Sequence, residues 1–442
     1  MLLGSPQHRK NDGQRIWRDE LALYQAPRGT LDILPQAQKY WQRVEAAATR
    51  LCRLYGYQRI DTPVFEDTRL FVRSVGEGTD IVEKEMYTFA DRSGDLLTLR
   101  PEGTAPVCRA YLEHGMRNLP QPVKLYYWAP IFRYERPQAG RYRQHHQFGC
   151  EAIGELDPAV DAEVIELAWQ LFAILGLKGL HLYINSIGCP QCRPVFVERL
   201  TAHYASYRAR LCADCQVRLE RNPLRLLDCK RHSCQSYAAS APRSIDYLCP
   251  ECRTHFEELQ NNLALLNLAF QVNHRLVRGL DYYTKTVFEI VPAHGGAQST
   301  ICGGGRYDGL MEALGGPPTP GVGFGSGVER IISNMQRQGV TVEDASLPKV
   351  FVAHQGEVGK QAAMSIARQL HQAGVGALYA FGNRSLRAQL RQASALGALW
   401  VIIVGEEELQ SHTLTLRDMA RSTQETIPTS EVVATLHGLL SP

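Results

Sequence analysis

Eight of the twelve cysteines in this chain of 442 residues form four close pairs between Gly188 and Cys252. Helix-like and strand-like sequence lies on both sides of this stretch, so we predict an inserted subdomain, residues 189–262, within a larger core. Cysteine pairs separated by roughly 15 to 35 residues are typical of zinc ribbons, in which each pair supplies two tetrahedral ligands. The pattern predicts one structural four-thiolate zinc site, drawn from three of the pairs: Cys212, Cys215, Cys229, Cys234, Cys249 and Cys252.

The remaining pair, Cys189 and Cys192, is set aside because it directly follows a predicted strand of the core. Free thiols are the alternative to zinc ligands for the whole set. Residues 1–20 carry charges throughout and contain no apolar segment of the kind found in secretory signals. The cysteines are therefore expected to be thiols or metal ligands in the cytoplasm rather than disulfides.

Length and composition indicate a globular chain of about three domains. Hydrophobic residues make up 44% of the sequence, enough for a core in each domain, and no apolar run is long enough to span a bilayer. The net charge is only +3. This charge excludes a uniformly basic nucleic-acid coat, so any contact with nucleic acid must be local.

The first part of the chain has the pattern of an α+β domain. Apolar residues at helical spacing predict a helix over 38–56, and Pro63 interrupts an extended run over 59–66, which suits an edge or interface strand. Further strand-like runs are joined by short loops, which favours antiparallel pairing. These runs span residues 96–99, 124–128, 131–134 and 144–153.

Strands and helices alternate after residue 348, which predicts a compact α/β module with a largely parallel sheet. The predicted helices include 385–395, and the last predicted strand is 400–404. The predicted organisation of the whole chain is an N-terminal extension over 1–24, a core over 25–337 interrupted by the insert, a linker over 338–348 and the module over 349–442.

Arginines concentrate in one strand-loop-strand segment. The chain contains neither a P-loop nor a dinucleotide-binding glycine motif, so phosphate binding would have to come from side chains. Arginine binds phosphate or carboxylate oxygens bidentately, and four arginines fall within the eleven residues Arg133 to Arg143. Gln147 and Glu151 follow on one face of the next strand. The segment could hold an anion and an amine together, and a solvated hairpin rim is the alternative.

Several motifs carry a resemblance to class II aminoacyl-tRNA synthetases. The segments 62–66, 132–136 and 321–330 resemble the three signature motifs of that class. Leu276-Val277-Arg278-Gly279-Leu280-Asp281-Tyr282-Tyr283 and Cys302-Gly303-Gly304-Gly305-Arg306-Tyr307-Asp308 are similar to segments of the histidyl-tRNA synthetases. Residues 100–104 and 140–144 also fit that family. The resemblance covers the chain from residue 25 to about residue 440.

The resemblance implies a fold, an activity and a set of site residues. The implied fold is a catalytic domain on an antiparallel sheet with flanking helices, followed by an anticodon-binding domain. The implied activity is ATP-dependent formation of histidyl-adenylate and transfer of the histidyl group to tRNA(His). Both steps are acyl transfers, which need fixed cations rather than a nucleophile. Magnesium should accompany the phosphates.

Residue roles follow from the matching motif positions. Arg133 and Arg278 would act in catalysis at the α-phosphate. The ATP site implied by the resemblance consists of Arg133, Glu135, Arg141 and Arg330. The implied histidine site consists of Glu102, Thr104 and Gln147 at the α-amino group, Glu151 and Tyr283 at the imidazole, and Arg278 and Tyr282. His145 and His146 receive no acid-base role, because the sequence pairs neither with a carboxylate.

Partners are implied in the same way. Arg136 and Gln138 match positions that meet the extra 5′ guanosine of tRNA(His), and Arg384, Arg387 and Arg391 are predicted on one face of a module helix. A solvated helix face is the alternative for these module arginines and for the arginines of the insert. The family likeness and the 62–66 strand imply a homodimer. A non-catalytic regulatory paralogue that serves histidine biosynthesis is the rival function, but such paralogues typically lack the module.

Overall fold

The computed structural model describes residues 24–76, 79–136, 140–293, 300–343 and 347–440. The chain divides into two compact units, Met1–Thr341 and Val342–Pro442. All but the last residue of the predicted N-terminal extension, 1–24, lies outside the described residues. The bounds predicted for the individual domains stay predictions.

The first unit contains eleven described strands and ten described α-helices. The strands are β1 (Gln58–Arg59), β2 (Phe65–Asp67), β3 (Tyr87–Ala90), β4 (Leu96–Leu99), β5 (Val123–Phe132), β6 (Gln144–Ile153), β7 (Leu180–Ser186), β8 (Phe270–Val272), β9 (Thr284–Pro292), β10 (Cys302–Arg306) and β11 (Gly321–Gly327). The helices are α1 (Pro35–Leu54), α2 (Thr68–Val75), α3 (Thr104–Glu113), α4 (Pro158–Ile174), α5 (Arg193–Ala205), α6 (Ala213–Arg221), α7 (His232–Ala239), α8 (Pro250–Leu265), α9 (Leu310–Ala313) and α10 (Val328–Arg337).

A mixed eight-stranded sheet forms the centre of this unit, in the order β1-β5-β6-β11-β10-β9-β7-β8. Its six inner strands are antiparallel, as predicted, and the short edge strands β1 and β8 add parallel pairs. The register sets Glu151 of β6 beside Gly323 of β11, and Gln147 beside Gly327. Because the sheet is antiparallel here, residues far apart in the chain meet on adjacent strands.

Two predicted strand bounds are wrong. The runs predicted over 124–128 and 131–134 form one strand, β5. This strand tolerates Pro130 because the neighbouring strand β1 pairs only with Leu125 and Tyr126, so no strand lies beside Pro130 on that edge. The extended run 59–66 splits at Thr62-Pro63: β1 joins the main sheet and β2 joins a small sheet in the order β2-β4-β3. The buried Arg100 guanidinium donates to the carbonyls of Thr62 and Pro63 and so holds the chain where it passes from the main sheet to the small sheet.

The insert is helical and packs against the main core. Helices α5, α6 and α7 contribute Phe196, Leu200, Tyr204, Leu219 and Cys234 to a buried cluster that also contains Tyr283. Helix α8 begins at Pro250 and returns the chain to the sheet. The insert therefore has no isolated core of its own.

The second unit is the α/β module. Its elements are β12 (Val350–His354), α11 (Gly356–Gln372), β13 (Ala377–Tyr379), α12 (Leu386–Ala395), β14 (Trp400–Val404), α13 (Glu406–Gln410), β15 (Thr413–Asp418), β16 (Gln424–Pro428) and α14 (Val432–Leu440). The sheet order is β13-β12-β14-β15-β16, and the first three strands are parallel, as predicted. The prediction missed the two antiparallel strands β15 and β16. The outer strand, β16, is exposed at every residue except Ile427, so it lacks the apolar run by which the inner strands were predicted. No helix in the described part of the chain is long and apolar enough to cross a membrane.

Candidate active site

A cavity of about 760 Å³ opens in the first unit beside the central sheet. It brings together residues from the arginine-rich segment, from α3 and its preceding turn, and from the loop before β9. The sequence-predicted residues that line it are Glu102, Thr104, Arg133, Glu135, Arg141, Gln147, Arg278, Tyr282, Tyr283 and Arg330. Side chains from six separate segments of the sequence thus converge on one space.

Three guanidinium groups in this cavity are held in place by the protein. Arg133 Nε donates to the carbonyl of Pro101 at 2.7 Å, and Arg141 Nη1 lies 3.0 Å from the Glu135 carboxylate. Arg330 Nε and Nη1 donate to the carbonyls of Gly140 and Thr300 at 3.0 and 2.9 Å. Each guanidinium group keeps further N–H donors that can bind a polyanion. Because the side chains are already ordered, binding would cost little further side-chain entropy.

Arg278 is fixed from two sides. Its Nη1 pairs with the Glu289 carboxylate on β9, and Thr300 Oγ1 donates to the other oxygen of Glu289 at 3.2 Å. A Cβ at Gly303 would stand 2.3 Å from Arg278 Nη1, so only glycine at this position leaves room for the guanidinium. Gly303 of β10 therefore makes the space that this arginine occupies.

Glu102 is 2% exposed and is oriented by the start of α3. Its two carboxylate oxygens accept the backbone N–H groups of Thr104 and Ala105 at 2.6 and 2.7 Å. Burial raises the pKa of Glu102, although these two hydrogen bonds oppose the rise. Tyr282 Oη lies 3.5 Å from the same carboxylate, so the group is set in one orientation at the cavity wall.

Glu151 lies directly behind the lining residues and is 0% exposed. Its carboxylate accepts Thr104 Oγ1 at 2.8 Å and Tyr307 Oη at 2.7 Å. Burial raises its pKa to about 8, against the effect of these two hydrogen bonds. A Cβ at Gly323 would stand 1.8 Å from Glu151 Oε2, so the glycine of β11 makes space for this acid.

Two tyrosines of the site were not predicted. Tyr127 of β5 accepts Gln147 Nε2 at 2.8 Å, and Gly103 and Gly149 clear the space around its ring. Tyr307 orients Glu151. Tyr307 lies in the 302–308 motif, which could have identified it as a site residue. No local sequence pattern identifies Tyr127, because it reaches the site through the β5–β6 register.

The two histidines of β6 have different surroundings. Burial, together with the positive charges of Arg133 and Arg330, lowers the pKa of His145 to about 3, so His145 is neutral near pH 7. His146 Nδ1 lies 3.1 Å from Glu329 Oε1, so the expectation that neither histidine pairs with a carboxylate is wrong. Since the same carboxylate also accepts the backbone N–H of His146, the pair orients Glu329 at the start of α10.

Two family models match this chain. The model described as histidyl-tRNA synthetase covers residues 29–213 and 216–331, and the model described as anticodon binding domain covers residues 349–439. The histidine-tRNA ligase of Dehalococcoides mccartyi strain 195 is 59% identical over 411 residues, covering 93% of this chain and 98% of that protein. This chain belongs to the histidyl-tRNA synthetase family.

Other members of the histidyl-tRNA synthetase family agree. The Desulforudis audaxviator histidine-tRNA ligase is 54% identical and covers 94% of this chain and 98% of its own length. The crystal structure of apo S. aureus histidyl-tRNA synthetase matches with a TM-score of 0.79 at 37% identity, over 93% of this chain and 99% of that one. The resemblance, the fold class and the ligase function are confirmed, and these relatives favour that function over the regulatory rival.

The insert forms one wall of the cavity in this family member. Arg218, Arg225 and Arg231 line it, together with Asp228. Arg218 Nη2 and Arg225 Nη2 lie 3.2 and 3.7 Å from Asp80. Arg218 and Arg225 are thus bound to the segment before β3 and are not a freely solvated face.

The eight cysteines of the insert form two groups of four, in each of which all four sulfur atoms lie within 4.8 Å of one another. We call Cys189, Cys192, Cys249 and Cys252 the root cluster, and Cys212, Cys215, Cys229 and Cys234 the tip cluster. Cys189 and Cys192, which the sequence prediction set aside, lie with Cys249 and Cys252 because the two ends of the insert return to the same place. All twelve cysteines are free of disulfides.

The predicted tRNA residues are only partly grouped. Arg136 is exposed and does not line the cavity, and Gln138 lies outside the described residues. In the second unit Arg387 and Arg391 stand four residues apart on α12 and are exposed. Arg384 is not on that helix, contrary to the prediction, because Ser385 caps the helix and the chain is extended there.

Proposed function

We propose that this chain activates L-histidine with ATP to histidyl-adenylate and transfers the histidyl group to tRNA(His). The convergence of the predicted ATP and histidine residues on one cavity supports the assignment of these residues. The fixed guanidinium groups of Arg133, Arg141, Arg278 and Arg330 line the cavity, and the buried carboxyl groups of Glu102 and Glu151 lie at its base. A triphosphate with an amino acid is the substrate pair that such a distribution of charge recognises.

ATP occupies the guanidinium side of the cavity and enters as its magnesium complex. Arg133 binds the α-phosphate and the histidine carboxylate. Glu135, whose carboxylate is held by Arg141, accepts the adenine amino group, and Arg330 covers the adenine ring and reaches the terminal phosphate. Since these cations are already positioned by carbonyl and carboxylate partners, little reorganisation opposes binding.

Histidine occupies the carboxyl side. The α-ammonium group binds Glu102, Thr104 and Gln147. Glu151 accepts an imidazole N–H, and Tyr283, with Tyr282 beside it at a ring-centroid distance of 4.8 Å, contacts the other side of the ring. An amino acid without an imidazole N–H would not form this hydrogen bond to Glu151, and the loss of a hydrogen bond that the site is built to make disfavours binding.

Catalysis in this proposal is electrostatic. The histidine carboxylate attacks the α-phosphate and pyrophosphate leaves, so negative charge develops at the phosphorus oxygens between Arg133 and Arg278. Neither the neutral His145 nor a cavity-lining thiolate acts as a nucleophile. The fixed positive charges stabilise the transition state more than the ground state.

We further propose a cytoplasmic homodimer with structural zinc in the insert. The small sheet β2-β4-β3 exposes Phe65, Phe89 and Leu96, which suits burial against a second copy. The cysteine clusters offer four sulfur ligands each, a closed set typical of structural rather than catalytic zinc.

Charging of a tRNA(His) transcript with labelled histidine tests the transfer step. We expect the double variant Arg387→Ala, Arg391→Ala to lower kcat/KM for tRNA by about tenfold or more, because each phosphate contact contributes to affinity, and to flatten its dependence on salt. Pyrophosphate exchange should remain at the level of the unchanged protein. Arg368→Ala with Arg421→Ala removes the same charge from exposed sites of the same unit and serves as the control.

An equal loss in both double variants would show a non-specific charge effect and would remove Arg387 and Arg391 from the tRNA site. Absence of charging by the unchanged protein would contradict the transfer step itself.

A further inference from the structure

The sulfur atoms of each cysteine cluster have the spacing of a metal-thiolate site. In the root cluster Cys189 Sγ lies 3.7 Å from Cys192 Sγ and 3.9 Å from Cys249 Sγ, and in the tip cluster Cys212 Sγ lies 3.9 Å from Cys229 Sγ. A tetrahedron with zinc-sulfur bonds of about 2.3 Å has sulfur-sulfur edges of about 3.8 Å. A disulfide requires about 2.05 Å, so these atoms are arranged around a common centre and are not bonded in pairs.

The backbone around the cysteines also fits a thiolate site. Cys192, Cys212 and Cys249 are the N-cap residues of α5, α6 and α8, where the helix dipole favours negative charge. Backbone N–H groups point at sulfur in both clusters, from Cys189 to Cys192 Sγ and from Cys212 to Cys234 Sγ, each at 3.3 Å. Gly188 adopts a positive φ of 72°, and a Cβ there would stand 2.8 Å from Cys192 Sγ.

We infer that the chain binds two zinc ions, one in each cluster, and that the ion in the root cluster positions the segment that recognises histidine. The second part of this inference rests on the proposed function, since it assigns Tyr283 to the histidine site. The inference depends on a difference between the two clusters in the segments that their neighbouring residues contact.

The root cluster is bound to the Tyr283–Lys285 segment by both of its cysteine pairs. On the side of the first pair, Arg193 Nη2 donates to the Tyr283 carbonyl at 2.5 Å, and the Lys285 N–H donates to the Gly188 carbonyl at 3.0 Å. On the side of the second pair, Glu251 lies 2.9 Å from Lys285 Nζ. One ion would therefore lock together the three groups that hold this segment.

Lys285 itself needs that support. Its φ of 46° lies in the left-handed region, which strains the backbone of a non-glycine residue, and its side chain is 8% exposed. Its ammonium group is held by Glu251 and, at 3.6 Å, by Asp308. A strained backbone next to Tyr283 persists only while its surroundings fix it.

The tip cluster has other neighbours. Arg218, on the helix that begins at Cys212, pairs with Asp80, and Cys229 lines the cavity. None of the described hydrogen bonds or ion pairs joins residues 212–234 to the Tyr283–Lys285 segment itself. The tip region reaches only the loop before that segment, where Asn222 Nδ2 donates to Asp281 Oδ1 at 2.7 Å and Arg225 approaches Gly279. Loss of the tip ion should thus affect the cavity wall with little effect on histidine recognition.

Zinc content of the full chain, purified without chelator and measured by mass spectrometry of the metal, tests the number of ions. We expect two zinc ions per chain, one in the double variant Cys192→Ser, Cys252→Ser and one in Cys215→Ser, Cys234→Ser. Cys52→Ala removes a buried cysteine of α1 and should leave two. Cobalt substitution should give the absorption of tetrahedral thiolate coordination. Zinc near zero or near one in the unchanged chain would overturn the inference.

Steady-state pyrophosphate exchange tests the positioning role. Arg193→Ala keeps all eight sulfur ligands, so it should retain two zinc ions and still raise KM for histidine by about tenfold while KM for ATP stays within about twofold. The root double variant should show the same split and the tip double variant should not. Equal changes in KM for histidine and KM for ATP would overturn the positioning role. Arg193→Ala gives this result even if the root double variant does not fold. An unchanged chain that binds two zinc ions but catalyses no exchange would instead contradict the proposed function alone.

Discussion

Replacing Arg278 by alanine is expected to slow histidine-dependent pyrophosphate exchange by about 10²- to 10³-fold, a loss of about 3 to 4 kcal/mol of transition-state stabilisation. The guanidinium is already fixed by Glu289 and by the space at Gly303, so the protein reorganises little when charge develops on the phosphate. The measurement is exchange at saturating ATP and histidine, with circular dichroism to show that the variant is folded.

Two further variants sharpen this prediction. Arg278→Lys should restore little of the rate, because a single ammonium group cannot both pair with Glu289 and contact the phosphate bidentately. Arg117→Ala removes an exposed arginine that does not line the cavity and should exchange at the normal rate. A folded Arg278→Ala variant with an unchanged rate would remove Arg278 from the mechanism.

Histidine binding should depend on pH through Glu151. Burial raises the pKa of this carboxyl to about 8, so the free protein holds a proton on it at pH 7 and loses the proton as the pH rises through 8. The imidazole N–H requires the ionised form as acceptor, and bound histidine therefore competes with that proton. We expect KM for histidine to fall between pH 7 and 8, by at most about tenfold, and to level off above the pKa.

Glu151→Gln tests the origin of this dependence. The amide has nearly the same shape but does not titrate, so the change in KM for histidine between pH 7 and 8 should disappear. KM for histidine should also be higher at each pH, by a factor that corresponds to a loss of about 2 kcal/mol of binding free energy. Glu312→Gln, an exposed change on α9, should keep the slope. A slope that survives in Glu151→Gln would show that another group is responsible.

The sequence predicted those parts of the site that depend on local pattern. Side chains alternate between the two faces of β6, which places Gln147 and Glu151 on one face. The group of arginines around Arg133 is visible directly in a short segment of the sequence. Motif positions predicted Arg278 and Glu102 for the same cavity, in which the structure now places both. For these residues a short stretch of chain contains all the information that is needed.

What the sequence did not predict depends on contacts between distant segments. Tyr127 meets Gln147 only through the β5–β6 pairing, and Gly323 makes room for Glu151 only through the β6–β11 pairing. The pairing of Cys189 with Cys249 depends on the return of the insert to its starting point, 60 residues later in the chain. Arg384 was misplaced because one residue, Ser385, sets where α12 begins.

The central claim is that this cavity activates histidine and no other amino acid, and pyrophosphate exchange into ATP with each of the twenty amino acids tests it most directly. The pure chain, with magnesium and ATP, is predicted to catalyse exchange with L-histidine and to remain at background with the rest. Absence of exchange with histidine, or equal exchange with other amino acids, would contradict the assignment.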